Sequence, residues 1–236
     1  MGKGLFITGT DTEVGKTFVA ASLAASLRER GYRVGVMKPV ETGCKEMNGS
    51  LMPRDAQRLK EASGSAAPIE KICPYRFAEP LAPSIAAERA GRKIDVDLLL
   101  ATYGEIAAEH DITLVEGAGG LMVPLLPSYS YADFARLLKL PLLVVAANRL
   151  GVINHLLLTL EHAACKGLTV FGYVLNRVTV EASLAADTNR EVLFAATAVP
   201  CLGELPFHES ETAKWAPHEA FAPEFDFRFI ETLLSA

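Results

Sequence analysis

The run Leu142-Leu143-Val144-Val145-Ala146 has no polar face. A strand of that kind belongs where both of its faces are covered, as in a parallel sheet between two helical layers. The chain repeats the pattern. Strand-like apolar runs fall at 4–8, 33–38, 112–116, 142–147, 169–175 and 199–203. Helical patterns fall at 16–30, 54–62, 95–109, 131–139, 152–166, 182–195 and 226–235. Strands separated by helices imply right-handed crossovers. The expected fold is α/β: a doubly wound, mostly parallel sheet with helices on both faces, in a single domain over 1–236. Such sheets hold ligands outside the carboxyl ends of their strands. The stretches 43–53 and 63–84, with Gly, Ser and Pro, read as irregular loops over the sheet edge.

The first strand hands over to the first helix through Gly9-Thr10-Asp11-Thr12-Glu13-Val14-Gly15-Lys16-Thr17. A strand, a glycine-containing loop, Lys-Thr and a helix are the context of a phosphate-binding loop, as in P-loop NTPases. Backbone N–H groups of the loop and helix start surround polyphosphate oxygens. Lys16 reaches the terminal phosphates and the Thr17 hydroxyl completes a Mg2+ shell, with ATP as co-substrate. The usual spacing puts the first glycine at position 10, where this chain has Thr10 and its glycine one residue earlier.

Bulk properties narrow the partners. Half of the 236 residues are hydrophobic, which suffices for a buried core, and the net charge of −5 argues against broad nucleic-acid binding. No apolar run is long enough to span a membrane, and the apolar start is too short for a signal peptide. A cytoplasmic location is expected. Met1-Gly2 is followed by Phe6 where myristoylation wants Ser or Thr. Cys44, Cys73, Cys165 and Cys201 lack metal-clamp spacing and read as reduced, mostly packing thiols. His155 and His162 share a helical face and read as packing or solvent residues rather than metal ligands.

Further chemistry sits at the expected strand ends. Lys38 closes the second strand, and with Lys16 it implies a reaction rich in negative charge. Thr42 offers a hydroxyl nearby. Asp55 stands at a helix start, where an acid also favours the macrodipole. Glu116 ends a buried strand and opens Gly117-Ala118-Gly119-Gly120, whose glycines permit close approach of a ligand. Thr17, Asp55 and Glu116 together supply hard oxygen ligands suited to Mg2+. Arg149-Leu150-Gly151-Val152-Ile153-Asn154-His155 begins a helix. Its free N–H groups can bind a carboxylate, and an ordinary helix start accounts for it equally well. Asn176, beside Arg177, ends a strand where an amide can read a base edge. Leu205-Pro206-Phe207 can wall off that base. Phe225, Phe227 and Phe229 alternate and read as packing.

Assembled in this order, the motifs resemble those of the dethiobiotin synthetase family. They are Thr8 to Thr17, Lys38-Pro39-Val40, Phe77-Ala78-Glu79-Pro80, Val115-Glu116-Gly117-Ala118-Gly119-Gly120, Leu150 to His155 and Gly203-Glu204-Leu205-Pro206. The family's loop spacing also accounts for Thr10. The resemblance implies that 7,8-diaminononanoate, CO2 and MgATP give dethiobiotin, ADP and phosphate through a carbamate and a carbamic–phosphoric anhydride. It implies nucleotide contacts from Glu13, Val14, Gly15, Lys16, Thr17 and Phe18, from Gly117, Ala118 and Gly119, and from Asn176, Arg177, Leu205, Pro206 and Phe207. It places Thr12 and Glu13 near the diamine, gives Lys16 and Lys38 catalytic roles, and sets Thr42 against the carbamate or amine. It also implies a homodimer in which Gly151, Val152, Ile153 and Asn154 meet the substrate carboxylate across the interface. Two departures stand out. Thr42 replaces a frequent Ser and keeps its hydroxyl. Ala82 stands where a Ser-Pro pair is common and removes a hydroxyl near the substrate.

Two rival readings share the phosphate loop. A cobyrinic-acid-type amidoligase needs a glutaminase domain with a nucleophilic Cys and partner His, for which the chain has no room. A partitioning ATPase usually carries a further lysine near the start of the loop, and Gly9-Thr10-Asp11 has none.

Overall fold

The computed structural model describes residues 3–180, 183–208, 221 and 223–235. Met1-Gly2 and the start of the helix expected at 182 lie outside them. Six strands form one sheet: β1 (Gly4–Gly9), β2 (Val34–Met37), β7 (Ile112–Gly120), β10 (Leu142–Ala147), β11 (Val170–Asn176) and β12 (Cys201–Leu205). Their order is β12-β11-β10-β1-β7-β2, and each neighbouring pair is parallel. These are the six strands read from the sequence, and five lie within two residues of their expected ends. β7 instead runs on to Gly120, four residues beyond the expected end, so Glu116 stands inside the strand and pairs with Ile7 rather than closing it.

Their double-sided apolarity has a direct cause. Along β10, Leu142, Val144 and Ala146 enter one buried cluster, while Leu143, Val145 and Ala147 enter a second. In β1, Phe6 faces the first cluster and Leu5 and Ile7 face the second. Successive side chains of a strand point to opposite faces, so two cores require continuous apolar sequence. The first core is closed by α5 (Val96–Glu109), α6 (Tyr131–Leu138) and α7 (Val152–Cys165), which contribute Leu99, Phe134 and Leu156. The second is closed by α1 (Lys16–Glu29), α2 (Arg54–Ser63) and the C-terminal helix α9 (Arg228–Ser235), through Leu23, Leu59 and Ile230. Helix α8 (Leu184–Ala196) flanks the first core with Leu193. Phe225 and Phe227 are buried, as packing residues should be.

The stretches expected to be irregular contain short elements. Between β2 and β7 the chain forms β3 (Val40–Thr42), β4 (Lys45–Met47), β5 (Ser50–Met52), α3 (Ile69–Ile72), β6 (Tyr75–Phe77) and α4 (Pro83–Arg89). β3 pairs in parallel with β6, and β4 with β5 as a hairpin. Three-residue strands are too short to show alternation, which is why periodicity passes over them. Asn48-Gly49 did carry a signal. Both residues have positive φ, 53° and 75°, as a two-residue hairpin turn requires. A second small hairpin, β8 (Pro124–Leu126) with β9 (Tyr129–Ser130), precedes α6.

The chain reverses its direction of travel at β1. From β1 it crosses past the later position of β7 to reach β2, then returns through β7 and continues to the other side with β10, β11 and β12. The strand ends around that switch point carry the phosphate loop, Lys38, Glu116 and Asn176. Among the described residues no helix is long and apolar enough to cross a membrane.

Phe134 tests the two-core account away from those strand ends. It is fully buried, and its ring meets that of Phe6 edge-on at a centroid distance of 6.4 Å. Phe134→Ala is expected to cost about 3–5 kcal/mol in urea unfolding, while nucleotide affinity of the folded fraction stays at the parent value.

Candidate active site

The strand ends open into a cleft of about 1080 Å³. Its floor is the phosphate loop. Glu13 has φ 57° and Gly15 φ 91°, which turns successive N–H groups inward. A non-glycine residue in the left-handed region carries strain that ligand-binding loops commonly retain. Gly15 is required twice over, because a Cβ there would stand 2.1 Å from Asn176 Nδ2. Gly15 caps α1 without a side-chain acceptor, so the helix start presents N–H groups to the cleft. Asn176 braces the loop from β11, donating from Nδ2 to the Val14 carbonyl at 3.0 Å.

The two lysines behave differently. Lys16 is 7% exposed and donates to the Asp11 carbonyl at 3.0 Å. Burial, followed by the neighbouring Lys38 charge, lowers its pKa to about 8 against weaker support from Glu116, Asp55 and Asp11. Lys38 is 3% exposed but lies 2.5 Å from Glu116 Oε1 and 3.2 Å from Asp55 Oδ2. Burial works against its charge, yet Glu116, Asp55 and Glu41 outweigh it and hold the ammonium well above the ordinary lysine range. Lys38 is therefore a fixed cation at neutral pH.

The carboxylates complete this arrangement. Burial pushes Glu116 upward, with Lys38 opposing. Burial also works to raise Asp55, but Lys38, the Thr17 hydroxyl and Arg58 hold it below the usual carboxylate range. Burial and the Asp55 charge push Glu41 up to about 7. Thr17 donates to Glu116 Oε1 at 2.8 Å. Glu116 Oε2, in contrast, is buried without a hydrogen-bond partner. Thr17, Asp55 and Glu116 thus offer two carboxylates and a hydroxyl, with one buried oxygen unsatisfied. This donor set fits Mg2+, which favours hard oxygen and keeps sites for phosphate and water.

At the other end of the cleft, α8 is tied to the ends of β10 and β11, and Asn148 also reaches β12. Asn148 donates to the Ala186 carbonyl at 3.1 Å and to Glu204 Oε1 at 2.9 Å, and Asn189 donates to Asn148 Oδ1 at 2.9 Å. Arg177 pairs with Asp187 at 2.6 Å. Phe18 and His208 rings lie 5.5 Å apart beside Arg177 and Phe207.

Known proteins fit this geometry. An AAA domain family model matches residues 3–214. The ATP-dependent dethiobiotin synthetase BioD of Bacillus cereus (strain G9842) is 44% identical over 211 residues, covering 89% of this chain and 86% of the relative. The protein of that name from Bacillus anthracis (strain CDC 684 / NRRL 3495) gives the same identity and coverage. The chain belongs to the dethiobiotin synthetase family. Solved structures agree at the level of fold. The cell division ATPase MinD of Pyrococcus furiosus aligns with a TM-score of 0.56 at 19% identity, over 99% of this chain and 100% of that one. The signal recognition particle receptor FtsY from Elizabethkingia anophelis aligns at 0.53 and 14%, over 99% of this chain and 66% of that one.

Most of the residues singled out for a dethiobiotin synthetase site line this cleft. They are Thr12, Glu13, Gly15, Lys16, Thr17 and Phe18 on the loop side, Lys38, Thr42, Asp55, Glu116, Ala118 and Gly119 in the middle, and Asn176, Arg177 and Phe207 at the far end. Val14, Gly117 and Leu205 act from beneath. Val14 and Leu205 are buried in the second core, and Gly117 packs on the Phe6 ring, where a Cβ would come within 3.3 Å. Pro206 is exposed and is not among the cleft-lining residues. Gly151, Val152, Ile153 and Asn154 are also outside it. They start α7 behind a Gly151 cap with φ 94°. The same helix lends His155, Leu158, Thr159 and His162 to a second concavity against the back of the phosphate loop. Ala82 lines the cleft beside Leu81 and Pro83.

Sequence reading passed over Glu41, Arg58, Val178, His208 and the Asn148–Asn189 pair. Glu41 had one available signal. The helix at 54–62 starts after Pro53, which cannot cap it, so an acceptor had to come from elsewhere.

The depressed Lys16 pKa predicts a linked proton. A triphosphate at Lys16 raises its pKa again, so nucleotide binding takes up a proton between about pH 8 and the ordinary lysine value of 10.5. Affinity should be level below pH 8 and fall as pH rises above it. Calorimetry at pH 9 in buffers of different ionisation enthalpy is expected to show uptake of about one proton, lost in Lys16→Met.

Proposed function

We propose that the chain is a dethiobiotin synthase. In this reading it carboxylates 7,8-diaminononanoate with CO2 and closes the ureido ring using ATP, as a single domain working in a homodimer. The observation that carries the reading is the convergence of Lys16 and Lys38 in one cleft with the hydroxyls of Thr12 and Thr42. A second anion beside a triphosphate needs cations held in place before it arrives.

The chemistry divides among these residues. An amine nitrogen of the diamine attacks CO2, forming a C–N bond and releasing a proton. Thr12, Glu13 and Thr42 orient the diamine, and the Glu13 carboxylate accepts hydrogen bonds from an amine. The carbamate oxygen then attacks the γ-phosphorus, and the bond to the ADP oxygen breaks. Lys16 and Lys38 neutralise the charge gathering on the transferring group. Lys38 is suited to that role because its carboxylate partners keep it charged. The second amine attacks the carbamic carbon, and the C–O bond to phosphate breaks to close the ring. Thr17, Asp55 and Glu116 would hold Mg2+, which when bound neutralises phosphate oxygens.

In this reading Asn176 turns the oxygen of its carboxamide to the base, while one N–H of its nitrogen stays on the Val14 carbonyl. An acceptor there favours an exocyclic amine such as that of adenine. The homodimer reading is supported by exposed apolar side chains: Met122 and Leu158 at the second concavity, and Leu150 just before α7. A partner's Gly151–Asn154 segment would then bind the substrate carboxylate through helix-start N–H groups and the Asn154 side-chain amide.

Phosphate release from MgATP tests the function directly. Release is expected to need both 7,8-diaminononanoate and bicarbonate, with dethiobiotin found by mass. Release that ignores the diamine would move the function to another ligase or a regulatory ATPase. Lys38→Met is expected to lower kcat about a hundredfold or more, since a lost electrostatic donor costs ~3 kcal/mol in the transition state. Asn154→Ala should mainly raise KM for the diamine, leaving KM for ATP near the parent value in steady-state assays.

A further inference from the structure

Glu41 has no task in the reaction described above. It is the middle residue of β3, 7% exposed, and it carries a carboxylate into a site already crowded with them. Its two oxygens are both engaged. Helix α2 starts directly after Pro53, which supplies no side-chain cap. Helix starts leave their first N–H groups without intrahelical partners. Glu41 provides the missing acceptors from another element. Oε1 accepts from the Asp55 N–H at 3.0 Å, and Oε2 from the Ala56 N–H at 3.0 Å. These are the second and third residues of the helix, the two that a local N-cap side chain would serve.

A Ser in place of Pro53 would cap α2 without bringing a charge. The arrangement seen here instead grips the first turn at two points and ties it to β3. The residue it grips is Asp55, whose carboxylate reaches Lys38 Nζ at 3.2 Å beside Thr17. The neighbour of Glu41 on β3 is Thr42, which lines the same cleft.

We propose that Glu41 is a positioning residue for Mg2+: by holding the peptide N–H groups of Asp55 and Ala56, it sets where the Asp55 carboxylate stands relative to Thr17 and Glu116. The proposal rests on the reading of Thr17, Asp55 and Glu116 as the metal ligands. It requires a carboxylate at position 41. A glutamine is isosteric, but its amide nitrogen cannot accept, so it would turn an N–H donor toward one of the two helix N–H groups.

Mn2+ serves as the probe, titrated by electron paramagnetic resonance with a non-hydrolysable ATP analogue. The proteins are the parent, Glu41→Gln, Asp55→Asn and the double variant. Each single variant is expected to weaken Mn2+ binding on the order of tenfold. The double variant should bind Mn2+ no more weakly than Asp55→Asn, because Glu41 acts through Asp55. Analogue affinity in EDTA should match the parent in Glu41→Gln. Should Glu41→Gln fail to fold, Glu41→Asp goes through the same cycle. It keeps the charge on a shorter stem and is expected to weaken Mn2+ as well. Parent-like Mn2+ affinity in the Glu41 variants, with Asp55→Asn weakened, would overturn the positioning role alone. Effects that multiply in the double variant would also overturn it. An Asp55→Asn protein with undiminished Mn2+ affinity would remove the metal-site reading, and this proposal with it.

Discussion

A buried ammonium organises the cleft. Lys38 is almost wholly withdrawn from water, and the carboxylates of Glu116, Asp55 and Glu41 make that tolerable. Removing one partner of such a pair typically costs about 3–5 kcal/mol, because the other charge is left buried and uncompensated. The register of the sheet brings the main pair together. β2 and β7 are aligned with Met37 opposite Val115, so Lys38, directly after β2, comes beside Glu116, the next residue of β7. A slip of one residue would turn the side chains of one strand to the opposite face. The strand register that fills two cores thus also fixes the charge pair.

Two ammonium groups in one cleft are driven in opposite directions by their neighbours. Lys38 has carboxylates close enough to overcome its burial. Lys16 is buried with a backbone carbonyl and a neighbouring cation, so its proton is loosely held. The cleft therefore combines one permanent positive charge with another that an incoming polyanion strengthens. The orphaned oxygen of Glu116 completes this electrostatic asymmetry, since it faces no donor among the described residues.

How much of this could be read from the sequence depended on the range of the contact involved. The six sheet strands were legible because each is long enough to display its burial on both faces. The short strands β3 to β6 were not, because three residues carry no period. Lys38, Asp55 and Glu116 stood out because the sequence places each at an expected strand end or helix start, although β7 continues past Glu116. Their pairing could not be read, since it depends on which strands become neighbours. Glu41 was hidden for the same reason. Its partners are backbone groups 14 and 15 residues away, and no side-chain pattern records them. Val14 and Gly117, expected as nucleotide contacts, lie beneath the cleft as supports.

The polar contacts of the cleft are also among the widest-reaching in the chain. Thr17 meets Glu116 across 99 positions, and Asn176 braces the Val14 carbonyl across 162. The entropy of closing a flexible loop grows only logarithmically with its length, so such spans are thermodynamically inexpensive. Kinetically they are demanding, since contacts between distant positions slow folding. The phosphate loop lies near the start of the sequence, but its brace arrives with β11. During synthesis, a nascent chain that has already made the whole motif still lacks the side chain that holds it in shape.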